Sequence, residues 1–204
     1  MKHAFGTHLG NFRHIYIDLP GFGNSTCNMA LTTEDYATIL ESFITMIDAT
    51  KAIILGHSFG GKVATLLQPD LLVLVGSAGI LVPKPFKIRA KIFLFKLLKF
   101  SGLTSLRRFF VAPDAQGLSE PRYETFKRVV NEDFTESFRA FKGRALLCFG
   151  RQDTATPLWT AYKIAELIPG SEVVEFDGDH YFFLEQGGSV AKEIEKVVLK
   201  SLEH

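Results

Sequence analysis

The stretch Ala52-Ile-Ile-Leu-Gly-His-Ser-Phe-Gly-Gly61 decides the predicted fold. Its first four residues form an apolar run that is typical of a buried strand. The run ends in Gly56-His57-Ser58-Phe59-Gly60, which fits the pattern G-x-S-x-G, and a helix-like segment, 62–67, follows. We therefore predict a strand, a sharp turn with Ser58 at its apex, and then a helix.

A turn of this kind needs small residues two positions before and two positions after the serine. Gly56 and Gly60 meet that need, and Gly61 leaves room for the helix to pack closely. The Ser58 hydroxyl then stands at a helix N-terminus, where the dipole favours developing negative charge. The alternative interpretation is a glycine-rich turn that holds a serine by chance. The flanking strand and helix favour a nucleophile.

Composition limits the kinds of partner that the chain is expected to bind. The 204 residues suit one large domain or a domain with an insertion, and 47% hydrophobic content allows a sizeable core. A net charge of +1 gives no electrostatic reason to expect nucleic acid binding. Cys27 and Cys148 match no metal-ligand spacing, so we expect neither a metal site nor a cofactor, and we expect Cys148 to be a buried thiol.

The ends of the sequence carry two further expectations. No apolar signal segment follows Met1, and no stretch is long and uncharged enough to span a bilayer. We therefore predict a cytoplasmic enzyme without stable membrane insertion. Residues 202–204, Leu-Glu-His, are typical of the start of a histidine tag and are left out of the fold.

Apolar strand-like runs alternate with helical patterns over most of the chain, which predicts an α/β fold with a mostly parallel sheet flanked by helices. The predicted strands are 13–18, 52–55, 70–76, 144–149 and 172–176. Thr32 or Thr33 is expected to cap a helix, and Pro157 to lie in the first turn of another.

The composition changes between Pro83 and Phe110, where basic residues and two apolar stripes share a helical pattern without any acidic residue. We favour a lid over an active-site pocket. A packed helix with a solvated basic face and a helix lying on a membrane surface are the alternatives. The basic residues of this segment are Lys84, Lys87, Arg89, Lys91, Lys96, Lys99, Arg107 and Arg108.

Three predicted loops carry chemically useful residues where strands end. They follow the strands 52–55, 144–149 and 172–176, and they contribute Ser58, Asp153 and His180. Ligands bind at the carboxyl edge of open α/β sheets, so we expect these residues to meet there.

Each of the three residues has a distinct expected role. His180 would take the proton of Ser58 and return it to the leaving group, and Asp153 would hold the imidazole tautomer. Phe59 would supply one backbone N–H to the oxyanion hole. Asp177 and Asp179 are less suitable acids, because a neighbour on the same loop cannot easily turn back onto Nδ1 of the ring.

His57 lies inside the G-x-S-x-G turn and has the side chain that a catalytic base needs. We interpret it as a packing or pocket-lining residue rather than as the base. For His180, the alternative to a catalytic base is a purely structural histidine.

Four segments carry a resemblance to a known family: Asp18-Leu-Pro-Gly-Phe-Gly-Asn-Ser25, Gly56-His-Ser-Phe-Gly-Gly61, Gly150-Arg-Gln-Asp153 with Pro157, and Gly178-Asp-His180 with Phe183-Leu-Glu185. They resemble the α/β-hydrolase superfamily, in which the triad follows the chain order nucleophile, acid, histidine. Within it, the chain resembles the bacterial serine hydrolases with a helical cap, a group of carboxylesterases, lipases and carbon–carbon bond hydrolases. The resemblance implies an α/β-hydrolase core at 1–80 and 142–201, and a helical cap at 81–141 with the acyl pocket beneath it. A serine at position 58 disfavours the dehalogenase and epoxide hydrolase activities of aspartate-dependent relatives.

The sequence departs from the family pattern before Arg13. Family members have about three more strands there, and the loop after the third gives the other oxyanion donor. We therefore expect an N-terminally incomplete fold with impaired hydrolysis. The strand 13–18 would pair with the strand 52–55, pair with another chain, or leave the sheet. An open strand edge also favours a homo-oligomer.

The first functional hypothesis is a serine hydrolase for a small carboxylic ester or a related acyl substrate. The second keeps the triad but cleaves a carbon–carbon bond in a dienone-type ring-fission product. The third is a non-catalytic relative that serves as a binding module.

Overall fold

A parallel four-stranded sheet forms the centre of the computed structural model, which describes residues 1–83 and 120–200. Each strand pairs in parallel with the next one along the chain, in the spatial order β1-β2-β3-β4. The strands are β1 (Ile53–His57), β2 (Leu71–Val75), β3 (Arg144–Gly150) and β4 (Glu172–Phe176). The predicted parallel sheet of an α/β fold is thus confirmed.

β2 lies inside the sheet, and all five of its residues are buried. Successive side chains of a strand point to opposite faces. Leu71, Val73 and Val75 accordingly join one apolar cluster, and Leu72 and Leu74 join another on the opposite face. Burial on both faces explains why the sequence of this strand is continuously apolar.

Helices cover both faces of the sheet. They are α1 (Lys2–Phe5), α2 (Thr33–Met46), α3 (Phe59–Leu66), α4 (Glu120–Val129), α5 (Thr135–Ala140), α6 (Leu158–Leu167) and α7 (Gly187–Lys200), and a short 3-10 helix spans Phe182–Leu184. Thr32 caps α2 in a reciprocal hydrogen-bond pair with Asp35, and Pro157 directly precedes α6. The predicted cap of α2 is confirmed, and Pro157 is the N-cap of α6, one position before the predicted first turn.

The predicted strand 13–18 is wrong. These residues form no regular element, and Ile15 and Ile17 are 40% and 41% exposed. No backbone hydrogen bond joins this segment to β1 within the described residues. A strand is stable only when its backbone groups are paired, so the alternating sequence here lacks the partner that would make it part of the sheet.

The described end of the predicted cap is attached to the core through α4 and α5. Lys62 on α3 is buried, and its ammonium donates to the Val129 carbonyl at 2.6 Å. Leu31 N–H donates to the Thr125 hydroxyl at 2.9 Å. Phe138 on α5 is fully buried in the apolar cluster that also contains Leu72 and Leu74.

The basic residues and apolar stripes of the predicted lid lie outside the described residues. The division into a core and a cap at 81–141 therefore stays a prediction. Within 1–83 and 120–200, no helix combines the length and the apolar character needed to cross a bilayer.

β1 is an edge strand within the described sheet, because β2 pairs with one of its sides and no described strand pairs with the other. Ile53, Ile54 and Leu55 are only partly buried. Open strand edges pair readily with other chains. We propose that the open side of β1, together with the exposed segment 13–18, is a contact surface between copies of this chain.

This proposal predicts self-association that depends on protein concentration, measured by size-exclusion chromatography with light scattering. The double substitution Ile15→Lys, Ile17→Lys should weaken association by charge repulsion, without a cost in folding because both side chains are exposed. Leu199→Lys, at a more exposed apolar position on α7 (60%), is the control for an added surface charge and should change nothing. A monomer at every concentration would contradict the proposal.

Candidate active site

Ser58 occupies the single residue between β1 and α3. Its backbone has φ +53° and ψ −120°, a conformation that costs free energy for any residue with a Cβ. The surrounding chain holds it there: Ser58 N–H donates to the Val75 carbonyl at 3.2 Å, and its carbonyl accepts from Gly61 and Ala78, each at 3.1 Å. Strain of this kind is typical of functional positions.

The glycines around Ser58 differ in what they do. A Cβ on Gly56 would lie 2.3 Å from the Gly60 carbonyl oxygen, and a Cβ on Gly61 would lie 2.1 Å from the Ser77 hydroxyl oxygen. A Cβ on Gly60 would meet no atom within 4 Å among the described residues. The close-approach predictions are thus confirmed for Gly56 and Gly61, whereas the described residues give no steric reason for a small residue at position 60. The Gly60 backbone is what crowds Gly56, so the small residue is needed at position 56.

Asp153 is buried in the loop after β3 and accepts four hydrogen bonds. Its Oδ1 accepts from the N–H groups of Ala155 and Thr156, at 2.8 and 2.9 Å. Its Oδ2 accepts from the Thr156 hydroxyl at 2.7 Å and lies 2.8 Å from Nδ1 of His180. Although burial alone would raise the pKa of Asp153, the hydrogen bonds from His180 and Thr156 lower it below its ordinary value.

The ionised carboxylate fixes the tautomer of His180. Because Asp153 can only accept, Nδ1 of the ring must carry the hydrogen, and Nε2 of a neutral ring is left as an acceptor. The Thr156 hydroxyl oxygen also lies 3.3 Å from this Nδ1. A free Nε2 acceptor is what a general base requires.

The His180 ring lies at the same end of the sheet as Ser58. A Cβ on Gly76, at the end of β2, would lie 3.4 Å from Nδ1 of His180. The ring centroid of His180 is 4.5 Å from that of His57, the residue directly before Ser58. The structure therefore brings Asp153 and His180 together beside Ser58. It shows no hydrogen bond between the Ser58 hydroxyl and His180 within residues 1–83 and 120–200.

The competing carboxylates have other partners. Asp177 forms an ion pair with Arg151 at 2.7 Å, and Asp179 accepts from Tyr181 N–H at 2.8 Å. Asp153 is thus the described carboxylate in contact with Nδ1 of His180. Sequence reasoning missed Thr156, although an Asp followed three positions later by Thr is a common local hydrogen-bonding pattern.

Phe59 begins α3, so its N–H is among the helix N-terminal donors that have no partner within the helix. Its ring stacks on Phe22 with centroids 6.1 Å apart and meets Tyr36 edge-on at 5.3 Å. Phe22 is 42% exposed. An aromatic wall therefore stands beside the proposed oxyanion donor.

His57 is partly buried and close to other rings. Its Nε2 lies 3.0 Å from the His180 carbonyl oxygen, and its ring centroid is 4.7 Å from that of Phe183. Burial, with a smaller contribution from neighbouring His180, lowers the pKa of His57 to about 4. The lowered pKa makes His57 a weak proton acceptor, which supports its interpretation as a residue other than the base.

In the part of the chain that the structure describes, no group of three or more His, Cys, Asp or Glu side chains is arranged to hold a metal ion. Cys148 is fully buried on β3, and burial raises the pKa of its thiol.

Comparison with known proteins gives one family and several similar structures. A sequence model of the family described as "Alpha/beta hydrolase family" matches residues 3–193. No curated protein matches the chain. An esterase from Exiguobacterium antarcticum, EaEST, is 20% identical with a TM-score of 0.73, over 97% of this chain and 85% of that one. A serine hydrolase involved in carbazole degradation, CarC, is 22% identical with a TM-score of 0.65, over 88% of this chain and 76% of that one. A meta-cleavage product hydrolase, CumD, is 20% identical with a TM-score of 0.61, over 89% and 78% of the two chains.

The different surroundings of Gly56 and Gly60 predict opposite effects of the same substitution. Gly56→Ala should destabilise the protein by about 1–3 kcal/mol, because its methyl group would overlap the Gly60 backbone. Gly60→Ala should be neutral or stabilise by up to ~1 kcal/mol, because alanine favours the helix that contains it. Urea unfolding followed by circular dichroism measures both. Equal losses in the two variants would show that the turn is not packed as described.

Proposed function

Because the chain belongs to the alpha/beta hydrolase family, we propose that it is a serine hydrolase that cleaves a small carboxylic ester or a related acyl substrate. The observation that carries this proposal is the buried hydrogen bond between Asp153 and Nδ1 of His180, placed beside the strained Ser58. Nucleophile, base and orienting acid are the three groups that acyl transfer through a serine requires.

In the proposed reaction, Nε2 of His180 accepts the Ser58 proton while the serine oxygen attacks the acyl carbon. The imidazolium then returns the proton to the leaving alkoxide, which gives an acyl-serine and an alcohol. Water, activated by the same ring, releases the acid and restores Ser58. Asp153 stabilises the imidazolium through Nδ1–H, and Phe59 N–H donates to the oxyanion.

The aromatic rings near the elbow favour an apolar acyl group. Phe22 stacks on Phe59 and is 42% exposed, and the Arg122 guanidinium carbon lies 5.8 Å from the centroid of its ring. Aromatic faces bind apolar groups well, because both surfaces leave water on contact.

A cytoplasmic location remains part of this proposal.

Hydrolysis of a carbon–carbon bond is the second candidate, and it uses the same three residues. The structural similarity to CumD, a meta-cleavage product hydrolase, motivates it. The identities to CumD and to the esterase are both close to 20%, so neither neighbour decides the substrate. A panel of short-chain esters and dienone ring-fission products, assayed side by side, separates the two reactions.

A fluorophosphonate probe tests for an activated serine without knowledge of the substrate. The wild-type protein should be labelled, and Ser58→Ala should reduce labelling to background, because phosphonylation needs the Ser58 oxygen. Ser42→Ala on the surface of α2 is the matched control and should label as the wild type does. No labelling of folded wild-type protein would favour a non-catalytic binding module.

Two acidic residues on neighbouring loops test the identity of the orienting acid. Asp153→Asn should reduce the rate of esterolysis or labelling about 10³–10⁴-fold, because the amide no longer holds the His180 tautomer. Asp179→Asn should leave the rate close to that of the wild type, because an amide oxygen can still accept from Tyr181 N–H. The labelling rates are measured by quenching the reaction at set times, at the same pH for every variant. A larger loss of rate in Asp179→Asn than in Asp153→Asn would show that Asp153 is not the acid that orients His180.

A further inference from the structure

The loop that carries His180 must cross most of the sheet to reach Ser58. Ser58 follows β1 and His180 follows β4, and β2 and β3 lie between those strands. Neighbouring strands are about 4.8 Å apart, so three spacings separate the two strands by roughly 14 Å. A loop that extends this far can hold the His180 ring in one position only if its end near β1 is also held by a contact.

Contacts from the β3 side support the loop along this path. Gln152 N–H donates to the Gly178 carbonyl at 3.0 Å, and a Cβ on Gly150 would lie 2.5 Å from the same carbonyl oxygen, so the loop lies directly on the strand end. Asp153, on the loop after β3, holds the His180 ring through Nδ1. None of these contacts fastens the loop to β1.

His57 supplies the contact at β1. Its Nε2 lies 3.0 Å from the carbonyl oxygen of His180. A carbonyl can only accept, so Nε2 must carry the hydrogen and donate it. The ring also packs between His180 and Phe183, with centroids 4.5 and 4.7 Å away. His57 directly precedes Ser58, so one side chain joins the nucleophile strand to the backbone of the base.

We propose that His57 is a positioning residue that fixes the His180 loop against the nucleophile turn through the hydrogen bond from its Nε2 to the His180 carbonyl. The proposal rests on the proposed function in so far as His180 is the base. It assigns to His57 a role in geometry, and the ring itself accepts no proton during the reaction.

The charge state of His57 suits this role. The groups that face its ring are His180, Asp153, Tyr181 and Phe183, together with the more distant amino group of Met1. A neutral ring keeps an acceptor nitrogen and a donor nitrogen distinct, so the donor stays directed at the carbonyl. It also places no second positive charge beside the imidazolium that forms on His180 during acyl transfer.

Variants of His57 that keep or remove the donor test the proposal. His57→Phe keeps a ring but lacks the N–H, and it should lower kcat or the labelling rate about 10- to 100-fold while KM changes less than about 3-fold, because a displaced base slows chemistry more than binding. His57→Gln keeps an N–H donor and should recover most of the rate. Phe183→Leu is the packing control, because it alters the same cluster without touching the hydrogen bond.

Two kinetic results would overturn the proposal. The first is a wild-type rate in His57→Phe. The second is an equal loss in His57→Phe, His57→Gln and Phe183→Leu, which would show that only packing matters. Thermal unfolding of all variants checks that rates are compared between folded proteins.

A readout that needs no activity separates this proposal from the proposed function. With ¹⁵N-labelled histidine, NMR should show His57 as the neutral Nε2–H tautomer between pH 5.5 and 8, and His180 with its hydrogen on Nδ1 in contact with Asp153. In His57→Phe, the downfield Nδ1–H resonance of His180 should broaden or exchange faster, because the loop is released. An unchanged resonance would overturn the proposal, even if the wild-type protein proved inactive on every substrate and probe.

Discussion

Parallel pairing of the four strands is the constraint on which the site depends. Because every strand runs in the same direction, the turns after β1, β3 and β4 all leave from one edge of the sheet. That edge collects Ser58, Asp153 and His180 from positions 95 and 27 residues apart in sequence. The sheet therefore brings together residues that are far apart in sequence, although β1 does not touch β3 or β4.

The buried carboxylate of Asp153 sets the orientation and the tautomer of the His180 ring at this edge. Two backbone N–H groups and the Thr156 hydroxyl satisfy most of its acceptor capacity, and the His180 ring takes the remaining position. A buried carboxylate with four donors stays ionised, so the ring opposite it has one orientation and one tautomer. The side chain of Thr156 thus contributes to the base although it carries no ionisable group.

Most of the fold could be predicted from the sequence, because its signals are local. The runs that became β1, β2 and β3 are mostly apolar, β4 holds two Val and a Phe between and after its two Glu residues, and the start of α2 is encoded by Thr32 and Asp35. The candidate site followed from residue types at strand ends. Asp153 was separable from Asp177 and Asp179 by an argument about loop geometry, and its contact with His180 agrees with that argument.

The remaining features depend on tertiary contacts that a local pattern does not contain. Alternation over residues 13–18 describes where side chains would point in a strand, but it does not supply a neighbouring strand. The hydrogen bond from His57 joins residues 123 positions apart. The spare room around Gly60 depends on how α3 leaves the turn, which the G-x-S-x-G pattern does not specify.

Lys62 on α3 is bonded to the segment that contains α4 and α5 and precedes β3. Its ammonium is buried, and burial lowers its pKa, while the carbonyl of Val129 and the carboxylate of Glu132 compensate the charge. Moving α4 away from α3 would break the hydrogen bond from Lys62 to Val129 and the ion pair with Glu132. The chain from Val129 to β3 is therefore held to α3 by a buried charge as well as by the apolar packing of Phe138.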